Sequence, residues 1–264
     1  MHSMSVVAMS GKMKTDAQQI FSKVPEVTLV FWIIKILATT LGETGGDALS
    51  MSMNLGYLLS TGIFAVVFII AVLAQISASK FHPVLYWTTI IATTTVGTTL
   101  ADFADRSLGI GYAGGTTILL ILLVASLSFW YRTLGSIAVD SVSSPKSEMF
   151  YWITIMFSQT LGTALGDWTA DTAGLGYGGG AILFAVMLAS IAMLHYWTRI
   201  SRTTLFWAAF ILTRPLGAVI GDFLDKPTSE GGLDLSRYSA SAVLVALIVL
   251  CIFAFSHKPA KRMH

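Results

Sequence analysis

Four aspartates stand at matching places in this chain: Asp47, Asp102, Asp167 and Asp222 each follow a Trp by fifteen positions and a Gly by five. Stepping back from each by four residues gives Lys35–Thr39–Glu43–Asp47, Ile90–Thr94–Thr98–Asp102, Ile155–Gln159–Thr163–Asp167 and Phe210–Arg214–Ala218–Asp222. Residues four apart share one helical face, so each series is a polar stripe in an otherwise apolar stretch. Carboxylates and hydroxyls are hard oxygen ligands, suited to Mg, Ca or Mn rather than to soft Cu(I). Asp47, Asp102, Asp167, Asp222 and Glu43 are therefore the candidate metal ligands. Thr39, Thr94, Thr98, Gln159 and Thr163 are candidates to line a path to them. Lys35 and Arg214 are fixed positive charges in need of a carboxylate, and Arg214 is expected to pair with Glu43 or Asp47. The alternative for each aspartate is a cap on the turn after a helix-ending Gly.

The elements that carry these residues are repeated. The tryptophans Trp32, Trp87, Trp152 and Trp207 begin the copies 55, 65 and 55 residues apart, and such fixed-period self-similarity determines the architecture. A Tyr follows the Asp by ten positions in three copies (Tyr57, Tyr112, Tyr177), and a six-residue insertion delays it to Tyr238 in the fourth. Hydropathy divides the chain into eight spans, over 28–43, 56–77, 84–102, 112–131, 149–167, 177–197, 205–222 and 238–256, most of them near the ~20 residues needed to cross a bilayer. With 55% hydrophobic and only 11% charged residues, the composition is that of a membrane protein. The expected fold is all-α and polytopic: eight transmembrane helices from four parallel two-helix repeats around a pseudo-fourfold axis. The odd helices, which carry the stripes, are expected inside and the even ones toward lipid. Residues 1–24 form an N-terminal tail, 25–79, 80–144, 145–199 and 200–256 the repeats, and 257–264 a C-terminal tail.

Eleven Lys and Arg fall in the tails and the loops between repeats, against Arg106, Lys226 and Arg237 in the turns within repeats. That asymmetry predicts both termini in the cytoplasm and an acidic outer side that gathers cations, although acids also populate such turns for no functional reason. The tryptophans would then stand at the inner face, where aromatics usually anchor a helix at the interface. The glycine runs Gly109–Gly115 and Gly174–Gly180 lack the preceding strand of a dinucleotide loop and read instead as tight turns and close helix contacts. The lone Cys251 excludes an internal disulfide, and His2 with the methionines of the tail fixes no metal geometry. The five histidines sit near helix ends or tails, with no Ser/His/Asp or Cys/His constellation.

The Trp-to-Asp unit, with Leu41–Gly42–Glu43–Thr44–Gly45–Gly46–Asp47 in its first copy, resembles a bacterial family of membrane proteins made of four tandem repeats of unknown function. The resemblance covers about residues 25–256 and implies an integral protein of the bacterial inner membrane. Glu43 to Asp47 also resembles, loosely, an acidic-Gly-Asp signature of some cation exchangers, though with one extra residue and Ala48 where a base is usual.

These readings predict no enzyme and no cofactor, but a secondary transporter for a cation, such as the divalent metal manganese, coupled to protons through a ring of the repeat aspartates. Lipid and a small cation are the expected partners, nucleic acid is not, and the oligomeric state is open. Two other readings remain: transport of a small organic or anionic solute held by Arg214 and Lys35, and a membrane scaffold or sensor that carries nothing.

Overall fold

The computed structural model of the protein describes residues 22–260; His2 and the methionines of the tail lie outside them. It is all-helical, with eight long helices and no strand among the described residues: α1 (Leu29–Asp47), α2 (Gly56–Ser77), α3 (Pro83–Asp102), α4 (Gly111–Leu134), α5 (Pro145–Asp167), α6 (Gly176–Trp197), α7 (Arg202–Asp225) and α8 (Arg237–Ala254). Local signals set their starts. Thr28 caps α1 by accepting from the Phe31 N–H at 3.3 Å. Pro83 opens α3, and Pro145 opens α5 inside a reciprocal Ser144–Ser147 capping box. Gly111 and Gly176 begin α4 and α6 with φ of 74° and 64°, a left-handed conformation that glycine adopts without strain, so the glycine runs do make turns.

Six of the helices are long and apolar enough to cross a membrane, and α3 and α5 are long enough but more polar. The threonines of α3 explain why it tolerates burial. Thr89 and Thr95 donate to the carbonyls of Leu85 and Ile91, each at 2.8 Å, so their hydroxyls are satisfied within the helix.

Helices α1, α3, α5 and α7 are mostly buried, and the even helices mostly exposed. Each buried helix packs on the next, α1 on α3, α3 on α5, α5 on α7, and α7 back on α1. The outer helices are offset by one repeat: α2 lies along α3, α4 along α5, α6 along α7, and α8 along α1. A repeat is therefore not a closed hairpin, and each outer helix covers the inner helix of its neighbour.

Glycine sets the spacing of the ring. A Cβ on Gly42 would collide with Thr94, one on Gly97 would come within 3.0 Å of the Thr160 backbone nitrogen, one on Gly162 would collide with Arg214, and one on Gly217 with Thr39. In every seam, the glycine five residues before the aspartate admits the neighbouring helix. One turn along, Gly46 faces Thr98 and Gly221 faces Glu43 in the same sense.

The tryptophan end is not an interfacial belt. Trp87, Trp152 and Trp207 are buried and Trp32 is half-buried. Each meets the aromatic residue that precedes the Trp of the neighbouring repeat: Phe31 with Trp87 (centroids 5.3 Å apart), Tyr86 with Trp152 (5.7 Å), Tyr151 with Trp207 (6.2 Å) and Phe206 with Trp32 (5.8 Å). Tyr86 and Tyr151 share a buried hydroxyl–hydroxyl bond of 2.6 Å. The sequence argument from aromatic frequency failed because these rings answer one another across the seams, closing that end of the ring. Beside them, part of the expected tail is held in place. Ser22, Lys23 and Val24 are buried. Lys23 Nζ bonds the Ile76 carbonyl at 2.9 Å and pairs with Glu148 at 2.8 Å. Ala260 donates to the Val24 carbonyl at 2.8 Å, joining the two ends of the described chain.

Gly217→Val would drive a side chain toward the Thr39 backbone, whose carbonyl carbon lies 2.8 Å from the site of the added Cβ, whereas Gly45 has open space around it. Thermal unfolding in detergent is expected to show a loss of about 2 kcal/mol or more for Gly217→Val and no loss, or a gain of roughly 0.5 kcal/mol, for Gly45→Ala.

Candidate functional site

The stripes form layers between α1, α3, α5 and α7, and all their polar residues are buried: Lys35, Thr39, Glu43, Asp47, Thr94, Thr98, Asp102, Gln159, Thr163, Asp167, Arg214 and Asp222. Two contacts join repeats that are not neighbours in the ring, which puts those side chains at its centre. Lys35 Nζ reaches Gln159 Oε1 at 3.4 Å, and Arg214 Nη2 donates to Thr98 Oγ1 at 2.5 Å.

Glu43, Thr98, Thr163 and Ala218 occupy the same layer. Arg214 rises into it from the layer below, bonding Glu43 Oε2 at 3.0 Å and the hydroxyl of Thr163. The small Ala218 leaves room for that reach. Of the two partners expected for Arg214, Glu43 is the one it finds. Lys35 has no carboxylate among the described residues; its ammonium lies 4.2 Å from the centroid of the Phe210 ring, a cation–π contact worth ~1–2 kcal/mol.

The aspartate layer is occupied by cations of the protein itself. Arg106 bridges Asp102 (3.0 Å) and Asp167 (3.5 Å), and Lys226 bridges Asp47 (2.7 Å) and Asp222 (3.2 Å). Arg237 joins Asp225 (3.2 Å) to Asp47 (3.7 Å). Sequence reasoning treated Arg106 and Lys226 only as charges in turns. Their signal was present, since each stands four residues after a repeat aspartate and so extends its stripe outward. Burial alone would lower Lys226, but the carboxylates of Asp222 and Asp47 outweigh it and hold the ammonium above its usual range.

Two sets of carboxylates still converge. Ligand oxygens of Glu43, Asp47 and Asp102 lie within 4.8 Å of one another, as do those of Asp47, Asp222 and Asp225. Asp47 Oδ1 is buried with no hydrogen-bond partner. Among the described residues Asp167 belongs to neither set, and its ion pair is with Arg106. Asp47, Asp102 and Asp167 each precede a turn of i→i+5 bonded helix and make no capping hydrogen bond with their side chains. An open depression of about 640 Å³ lies over the layer, lined by Met51, Arg106, Asp171, Lys226, Glu230 and Arg237 among others. Four of these, Met51, Arg106, Asp171 and Lys226, occupy the position four residues beyond each repeat aspartate.

Residues 30–81, 85–136, 150–201 and 205–258 each match a family described as a Repeat of Unknown Function (DUF347). The chain belongs to that family, as four successive copies of its repeat. No curated protein and no solved structure matches it.

Removing a buried charge leaves its partners uncompensated, at about 3–5 kcal/mol. Lys226→Met is expected to lower unfolding stability by about 3 kcal/mol, while Lys226→Arg keeps most of it, both read by thermal melts. Asp105, in the turn after α3, has neither carboxylate oxygen hydrogen-bonded, and burial pushes it up to about 6 against the lowering pull of Arg106. A carboxyl raised in the folded state destabilises progressively as pH rises from about 4 to about 6. Asp105→Asn should therefore raise the melting temperature at pH 8 and leave it unchanged near pH 4.

Proposed function

We propose that the chain is a secondary transporter for a cation, a divalent metal such as manganese, exchanged against protons. It is read as an eight-span protein of the bacterial inner membrane, its four repeats related by approximate fourfold rotation about the membrane normal. Both termini are placed in the cytoplasm, the aromatic closure at the inner face and the acidic depression at the outer one.

The observation that carries this reading is the set of Glu43, Asp47 and Asp102, with ligand oxygens within 4.8 Å and one buried oxygen of Asp47 free of partners. Three hard oxygen donors match the preference of Mn, Mg and Ca. Carboxylates this close hold either a cation or protons in common, which supplies the exchange. Glu43, Asp47, Asp102, Asp167, Asp222 and Asp225 face Arg106, Arg214, Lys226 and Arg237, so the outer half of the interior keeps two carboxylates in excess. That excess favours a divalent cargo. Thr98, 3.4 Å from Glu43, is positioned to add a neutral oxygen. Arg106 and Lys226 act as tethered cations that a cargo ion must displace from the aspartates.

The test is uptake of manganese into proteoliposomes against a pH gradient. Glu43→Gln, Asp47→Asn and Asp102→Asn should each reduce flux by at least about tenfold, the loss of one charged ligand being worth more than 1.4 kcal/mol. Flux equal to wild type in all three, across manganese, magnesium and calcium, would overturn the assignment.

A further inference from the structure

One layer of the interior has the opposite chemistry to the aspartates. Lys35 and Arg214 are both fully buried, and Glu43 is the only carboxylate that either contacts among the described residues. Among the described residues Lys35 has no carboxylate of its own, and an ion buried without a partner costs several kcal/mol. Arg214 spends Nη2 on Glu43, Thr98 and Thr163, but its Nε and Nη1 have no acceptor. The Gln159 amide gives its oxygen to Lys35 and leaves Nε2 without a partner, and the buried Thr94 hydroxyl of the same layer also lacks one. Arg214, Gln159 and Thr94 come from α7, α5 and α3, and Lys35 crosses from α1 to reach Gln159. Three side chains at the same stripe position, on α3, α5 and α7, thus carry polar atoms without a partner, and Lys35 of α1 reaches one of them. Buried donors are nearly always satisfied, and a set left open by the protein itself calls for an acceptor from outside.

We infer that the layer of Lys35, Thr94, Gln159 and Arg214 is a binding site for a small inorganic anion of the size and charge of chloride, one helical turn beneath the carboxylates. A monatomic anion accepts from several N–H and O–H groups at once. None of its donors is a ligand proposed for the metal, although Arg214 pairs with Glu43, which is one.

The test compares thermal unfolding of the purified full-length protein in chloride and in gluconate at equal ionic strength. Because an anion that binds only the folded state stabilises it by mass action, the wild type should melt at least about 3 °C higher in chloride, with saturable dependence on concentration and the same effect from bromide. Gln159→Leu should reduce that difference. Gln159→Glu is the more telling variant: it places a fixed carboxylate among the donors, so it should melt in gluconate at least as high as the wild type in chloride, and respond to neither halide. Equal melting of the wild type in chloride and gluconate would overturn the proposal. So would a Gln159→Glu protein that is less stable than the wild type in both. Manganese uptake measured in gluconate alone reports on the cation reading separately.

Discussion

A charge removed from water must be answered by another charge or by fixed dipoles, and that constraint orders the interior of this protein. An ion buried without a partner costs several kcal/mol, and the outer half of the space between α1, α3, α5 and α7 holds carboxylates and cations together. They are not scattered. Arg106 and Lys226 each bridge an aspartate of their own repeat to one of a neighbour, and Arg214 spans the ring to Glu43 and Thr98. These pairs tie the repeats to one another, so the polar interior acts as part of the packing.

The repeats have divided the work. At the position four residues before the aspartate, the first copy supplies Glu43 and the fourth supplies Ala218, and the space left by that alanine admits Arg214 from one turn below. At the position four residues after it, the second and fourth copies supply Arg106 and Lys226, while the first and third supply Met51 and Asp171. The clasps therefore fall on alternate seams, between the second and third copies and between the fourth and first. The seam between the first and second copies is left with Glu43, Asp47 and Asp102 facing one another. That seam has no clasp, nor does the one between the third and fourth copies, and no ion pair among the described residues joins α1 to α3.

Much of this was legible in the sequence, because one spacing repeated four times fixes both the helical face and the level of each residue. The burial of the stripes followed from that periodicity, and so did the need of Arg214 for a carboxylate, which the sequence left between Glu43 and Asp47. The offset of the outer helices did not. Whether α2 covers α1 or α3 depends on how short turns aim the chain, and hydropathy carries no such information. The tryptophans were misplaced for a related reason: frequency favours a lipid interface, whereas here their partners are Phe31, Tyr86, Tyr151 and Phe206 of adjoining repeats. Arg106 and Lys226 were overlooked because they lie in the turns, although the four-residue step reaches them.

The most direct measurement is anomalous scattering from crystals of the protein grown with manganese. A peak among Glu43, Asp47 and Asp102, lost when Asp47 is changed to Asn, is the predicted result. Crystals with the three carboxylates ordered and no manganese density among them, or with the metal bound only at the exposed acids of the outer turns, would contradict the account.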